Sequence, residues 1–545
     1  MGTYFGEGKQ MIEKILKAVK SSNKKRGRNI TVGAVVGFLL SCTAVMGADE
    51  NYLLIKKEGE EIKFSTDNDT TAGTDNPYEE NTWNGTEYVN NIALNSTSNY
   101  YGVKLEGDLG NVNFTNNGLI TATIAGYGNS CGINNAGTIG TLTNNGIITG
   151  TSENGDGYGI ATFINTAVIK ILVNNGTITG TTENSDGYGI DTTNDAALAN
   201  TGVIYGKTNA IINVGTANNY GLLISQTGDT VSGGTSITNS YGLIFKDTGG
   251  SYTAEISDYS RFGTIAKDEE VVVDYDENSQ AIKKTYTIIN AKAEGAKDNI
   301  TGTESLKLTN GVLTYYDSTK GDSEKYQEEI IDSNKKYILN GITDTLLVST
   351  GENKLDNSVI NAYGTAVKFD ETNGGNLILS GTTINGGVKA DTFAILGSDD
   401  SSKTDALVLE NSVVNGNIDM QSGTNTITAG NNTTINGDVK GGAGEDTFTS
   451  GNNVAINGKI ELGAGNNKIT LGNNVYINGD VDMGTNGVNL TGGSEVYLNG
   501  KVAFTDNVDI LTLGEKSVIV QDIAMKDGND ELTIGAGSIV NGKLD

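Results

Sequence analysis

Between residues 414 and 545 aliphatic residues return at a fixed interval of 21. One column reads Val414, Ile435, Ile456, Ile477, Leu498, Ile519, Val540. A second reads Ile418, Val439, Ile460, Val481, Val502, Ile523, Leu544, and a third Ile427, Phe448, Ile469, Leu490, Leu511, Leu532. Asn-Gly pairs keep the same beat at Asn415, Asn436, Asn457, Asn478, Asn499 and Asn541, with Val520-Gln521 filling the vacant place. Polar stretches such as Asn436-Gly437-Asp438 and Asn457-Gly458-Lys459 separate the columns, and the local alternation predicts short strands with one buried face. Asn-Gly alone favours tight hairpins, but a hairpin array gives no reason for three columns to hold one register through six coils. Coils stacked one on another do. The expectation is an all-β chain wound as a right-handed parallel β-helix (β-solenoid), with Ile435, Ile456, Ile477, Leu498, Ile519 and Val540 forming one continuous ladder inside it.

The preceding half uses a longer unit. Asn144-Asn145-Gly146-Ile147-Ile148-Thr149-Gly150 recurs 30 residues on as Asn174-Asn175-Gly176-Thr177-Ile178-Thr179-Gly180, and Asp156-Gly157-Tyr158-Gly159-Ile160 as Asp186-Gly187-Tyr188-Gly189-Ile190. Looser copies at Asn116-Asn117-Gly118, Asn134-Asn135 and Thr201-Gly202 predict coils of variable circumference, with the tyrosines packed at corners. The organisation expected is therefore 1–48 an address segment, 49–90 a flexible leader and first cap, 91–254 a solenoid of ~30-residue coils, 255–345 an irregular charged insertion or looped coils, and 346–545 a solenoid of 21-residue coils. Within the insertion, residues 324–333 suit a short helix. About 20 coils at the ~4.8 Å strand spacing predict a rod on the order of 95 Å long.

Charge narrows the partners. The chain has 545 residues, 66 acidic against 37 basic, and a formal net charge of −29. Eight of those basic residues fall in residues 1–48, so the remainder is more acidic still and repels phosphate backbones; no nucleic acid partner is expected. With no histidine there is no Ser-His-Asp or Cys-His nucleophile and no imidazole metal ligand. Gly128-Asn129-Ser130-Cys131-Gly132 matches the pattern of a nucleophile elbow but lacks its base.

The amino terminus reads as an export signal. Lys24-Lys25-Arg26-Gly27-Arg28 precedes an apolar run from Ile30, which ends in the small residues Gly47-Ala48 before Asp49-Glu50; cleavage is expected at Ala48. Ile12, Ile15, Leu16 and Val19 lie at helical spacing ahead of the basic cluster. Cleavage there removes Cys42 and leaves Cys131 as the one thiol, so no internal disulfide accompanies export.

That long basic region, followed by Gly33-Ala34-Val35-Val36-Gly37 and closed by Ala44 to Ala48, resembles the extended signal region of autotransporters, the type V secretion family of Gram-negative bacteria. The Gly/Asn/Thr repeats behind it resemble that family's passenger domains. The resemblance implies a protein secreted across the inner membrane and displayed at the cell surface, anchored in the outer membrane through a translocator barrel that this sequence does not contain. It also implies an adhesin or self-association stem, partnered by a host-cell or matrix surface or by like passengers on neighbouring cells. The alternatives are a passive stalk or coat protein, and a β-helix polysaccharide lyase or glycosidase; catalysis is not expected, nor any cofactor. Gly441-Gly442-Ala443-Gly444-Glu445-Asp446-Thr447-Phe448-Thr449 matches one calcium-binding nonapeptide, which makes Gly442, Gly444 and Asp446 a weak candidate site. One copy does not build the sandwich that a hard cation requires, and a Gly-rich corner is the expected role.

Overall fold

The protein is described by a computed structural model covering residues 51–66, 72–193, 196–247, 252–254, 268–275, 280–296 and 299–545. The expected signal segment, including Cys42 and the Ala48 cleavage point, lies outside the described residues.

The fold is an all-β parallel solenoid. In the 21-residue part each coil is a triangle of three short strands, for example Thr434–Asn436, Val439–Lys440 and Thr447–Ser450. Each pairs in parallel with its counterpart one coil on: Ile435 with Ile456, Val439 with Ile460, Phe448 with Ile469. The alternation leaves Ile435, Val439 and Phe448 fully buried. Two further inward columns escape a reading by aliphatic pattern because their members vary: Val454, Val475, Val496 follow Thr433, and Met420, Leu462, Met483, Phe504 share a column with Gly441. Val540 keeps the register of its ladder, paired with Ile519, but is less buried than the rest. It is 38% exposed, because the rung Ile539–Val540 has a neighbour on one face only.

Coils of the amino-terminal part are wider and irregular in length. Ile147 pairs with Thr177, Thr177 with Val203, and Val203 with Leu222. The Asn-Asn-Gly corners stack so closely that a Cβ on Gly146 would collide with the carbonyl oxygen of Gly118, which is why glycine recurs there. The tyrosine corner is a stack, with Tyr158 and Tyr188 at 5.1 Å between ring centroids. Ser130 of the elbow-like pentapeptide starts a strand, is fully buried and donates to the Ala122 carbonyl at 2.8 Å, so no elbow forms.

Three expectations need correction. The leader is part of the wall: Leu53–Glu58 pairs in parallel with Tyr101–Asp108 and buries Leu53 and Ile55, because its apolar residues complete the first rung. Residues 324–333 hold no helix beyond a single 3-10 turn at Asp322–Glu324. Tyr326–Ile330 is a strand paired antiparallel with Val312–Tyr316, since a weak helical preference yields to cross-strand pairing. Around it, Thr287 to Asn290 and Leu306–Thr309 already pair in parallel with Tyr337–Gly341 and Asp344–Val348, so of the two arrangements expected for 255–345 the looped coils describe this region, which contains the opening rungs of the second stack.

The largest correction concerns the rod. The chain does not continue in one line; the second stack runs back alongside the first. Asn340, Asn361, Asn385, Asn415, Asn436, Asn457 and Asn478 donate from Nδ2 to the carbonyls of Tyr241, Tyr220, Thr201, Asn175, Asn145, Asn117 and Asn91 respectively, at 2.7–3.2 Å. One series rises while the other falls, so the two axes are antiparallel. The same amides spend their other N–H on the asparagine one coil back, from Asn340 to Asn290 through Asn478 to Asn457, at 2.7–2.9 Å. A primary amide has two N–H groups. Here one builds the ladder and the other fastens the arms.

Apolar contacts lock both ends of this zipper. Near the bend, Tyr220 packs with Ile288, Ile338 and Val359, and Phe245 meets Tyr363 edge-on at 5.4 Å. At the far end Tyr476 and Tyr497 pack into the amino-terminal core beside Tyr78 and Trp83, and the Tyr476 hydroxyl donates to the Glu80 carbonyl at 2.9 Å.

Candidate binding groove between the arms

Between those locks the arms stay joined by the zipper at Asn385, Asn415, Asn436 and Asn457, and beside it their facing surfaces leave a gap. The outward column of the second arm that faces the first reads Ile338, Val359, Thr383, Val413, Thr434, Ala455, Tyr476, Tyr497, Val518, each pairing with the next. Its bulky members fill the space against the first arm; its small members, Thr383 to Ala455, do not. The facing column changes at the bend end alone, from Tyr241 and Tyr220 to Thr201, Asn175, Asn145, Asn117 and Asn91. The result is a groove of about 530 Å³ running along the axis. Four small rungs make its floor roughly 19 Å long.

Two asparagine rails form its walls. On the first arm Asn175, Asn145 and Asn117 donate down the stack to Asn145, Asn117 and Asn91 at 2.9–3.0 Å, each using a single amide N–H. On the second arm the rail is Asn411, Asn432, Asn453 and Asn474, with Asn474 donating to Asn453 at 2.7 Å and Asn453 to Asn432 at 3.2 Å. These four sit at φ between 49° and 57°, the left-handed corner that asparagine tolerates better than other side-chain-bearing residues. One and two coils further on, beyond the groove, the same corner holds Glu495 and Lys516 at φ 59° and 56°. Backbone geometry thus does not demand asparagine there. Along the groove that corner holds Gly381 and then Asn411, Asn432, Asn453 and Asn474, and past Tyr476 it gives way to charged residues.

Charge is nearly absent from the lining. Among the described residues that line it, Lys284 carries the one charge and no carboxylate joins it, in a chain that carries 66 acidic side chains. Among the described lining residues no carboxylate pair of the kind used in glycoside hydrolysis is assembled. What the walls offer is a periodic array of amide donors and acceptors at the strand spacing.

The nonapeptide candidate lies on another face. Gly442 and Gly444 adopt φ 109° and 148° and press on the carbonyls of Gln421 and Gly423 below. Asp446 is 2% exposed and belongs to a column of side-chain caps: its Oδ1 accepts the Asn425 backbone N–H at 2.9 Å, and Asn467 caps Asp446 in the same way. Neighbouring coils supply amides rather than carboxylates, and among the described residues no group of three or more His, Cys, Asp or Glu gathers. Burial pushes the Asp446 carboxyl up to about 6, against the pull of the Asn425 hydrogen bonds, and its Oδ2 has no partner.

Cys131 is fully buried in the column of Tyr101 and Tyr158, and burial pushes its thiol well up, which keeps it unreactive.

The sequence reading used Asn415 to Asn499 only as a marker of the repeat. The signal for their role was present: an amide kept at one position of every coil, beside an inward aliphatic residue, is either buried and paired or wasted. The groove had no such signal, since nothing in one column says which column faces it. Against known protein families, curated proteins and solved structures, the chain has no match.

Proposed function

We propose that the chain is a displayed binding protein of the autotransporter-passenger kind, acting at a Gram-negative cell surface as an adhesin or a self-association stem. The observation that supports binding over a passive stalk is the amide-lined groove between the arms of an otherwise acidic solenoid. A stalk needs only stacked coils; it has no use for a column that narrows from Ile338 and Val359 to Thr383, Val413, Thr434 and Ala455 before Tyr476, opposite Thr201, Asn175, Asn145 and Asn117. Acidic outer faces keep such a molecule soluble and limit non-specific contact, so attachment concentrates where charge is absent. The expected partners are host-cell or matrix surfaces, or like passengers on neighbouring cells. Bacteria displaying the chain are expected to adhere to cultured cells or matrix, or to aggregate; if they do none of these, the coat or stalk reading takes its place.

A further inference from the structure

We infer that the inter-arm groove binds a single extended strand of an uncharged, hydroxyl-rich polysaccharide. The inference concerns the groove itself and stands whether or not the chain mediates adhesion.

Four features of the groove select this class. Among the described residues the lining offers Lys284 as its only charge, so a polyanion gains one ion pair there and meets the field of a chain at −29, while a polycation finds no carboxylate among them to pair with. The rails carry neutral amides, each with an N–H and carbonyl lone pairs beyond those used within the stack. Hydroxyl groups donate and accept, and match such amides without the desolvation cost of a charge. The groove is open to solvent along its length with tyrosines at either end, so about four sugars of a linear polymer lie over the floor at the ~4.8 Å rung spacing and the units beyond them pass over the tyrosines. Its donors repeat at the ~4.8 Å strand spacing, close to the length of one pyranose unit in an extended β-linked chain, so successive sugars meet equivalent rungs.

A peptide strand fits less well. The strands flanking the groove already pair on both sides with the coils above and below, so they present no open edge for backbone pairing. Alternating side chains would also need pockets, which a floor of Thr383, Val413, Thr434 and Ala455 does not provide.

The test is calorimetric titration of the purified chain with cellohexaose, chitohexaose in its N-acetylated form, maltohexaose and, as the charged comparator, hexagalacturonate. At least one neutral hexasaccharide is expected to bind, with affinity insensitive to salt, and hexagalacturonate to bind at least tenfold more weakly. Ala455→Tyr extends the bulky column of Tyr476 and Tyr497 by one coil and fills the floor, and is expected to weaken binding at least tenfold with the strand signal in circular dichroism unchanged. Val413→Tyr, two coils away on the same column, serves if the first variant misfolds. No binding of any neutral hexasaccharide overturns the inference, as does binding undiminished in both filled variants, preference for hexagalacturonate, or tighter binding of an unstructured neutral hexapeptide. Failure of displaying cells to adhere while cellohexaose still titrates would sink the adhesin reading and leave the groove assignment standing.

Discussion

Asn436 is the most informative residue to perturb, because one amide holds a coil to its neighbour and one arm to the other. Its Nδ2 donates to the Asn145 carbonyl at 2.7 Å and to Asn415 Oδ1 at 2.8 Å, and its Oδ1 accepts from Asn457 Nδ2 at 2.8 Å. It is fully buried. Alanine there leaves the Asn145 carbonyl and one Asn457 N–H without partners, while Asn415 Oδ1 keeps the Thr177 hydroxyl at 3.2 Å. Two orphaned buried groups at about 1–3 kcal/mol each predict a loss of about 2–6 kcal/mol. Asn436→Asp retains the acceptor but loses both donors and directs a carboxylate at a carbonyl and an amide oxygen, so it is expected to cost more at neutral pH than in acid. Asn453→Gly, on the exposed rail, is the control; it keeps the left-handed corner and is expected to change stability by no more than a few tenths of a kcal/mol. Denaturant unfolding gives the free energies, and hydrogen exchange at rungs 415–457 reads the local effect that a repeat array averages out. X-ray scattering supplies the geometry: with the arms side by side the long axis is roughly 50 Å, against roughly 90 Å for the same rungs end to end. An alanine variant within ~0.5 kcal/mol of the parent, or a wild-type profile of the longer rod, would refute the zipper.

Three further outcomes follow from the same geometry. Asp446 has a folded pKa of about 6, above its unfolded value, so the folded state holds the extra proton. The associated stability is complete below about pH 4 and is lost as pH rises toward 6, by about 1–2 kcal/mol after allowance for screening. Asn425 and Asn467 already occupy its column as amides, so Asp446→Asn should abolish this slope and stabilise the chain at pH 7, as read by thermal melting across pH. Glu495→Asn relieves a left-handed glutamate at φ 59° whose ion pair with Lys516, at 3.9 Å, is exposed; a gain of about 0.5–1 kcal/mol is expected, and a loss would show that the ion pair outweighs the backbone strain. Gly146→Ala drives a Cβ into the Gly118 carbonyl and is expected to cost at least ~2 kcal/mol or to shift the corner, detectable as lost protection at Asn144 to Ile148.

The 21-residue period was enough to determine the coil. Three columns of branched and aromatic residues returning in register have one compact solution, each coil laid on the last, and the pairing of Ile435 with Ile456 follows from spacing alone. The irregular stretches were less legible. Leu53 and Ile55 belong to no visible repeat, and the run from 324 to 333 has a composition that suits a helix as well as the strand its partner imposes.

What only the tertiary structure decided is how the coils are disposed in space. Periodicity along the chain fixes which residues share a column, because neighbouring coils are close in sequence; it carries no information about a column hundreds of residues away. Asn457 and Asn117 are 340 residues apart and share a hydrogen bond, and the groove exists because Ala455 and Asn117 both happen to be small or polar where their arms face each other. Such a match is a relation between two surfaces. It becomes visible only when the chain has turned back and placed one against the other.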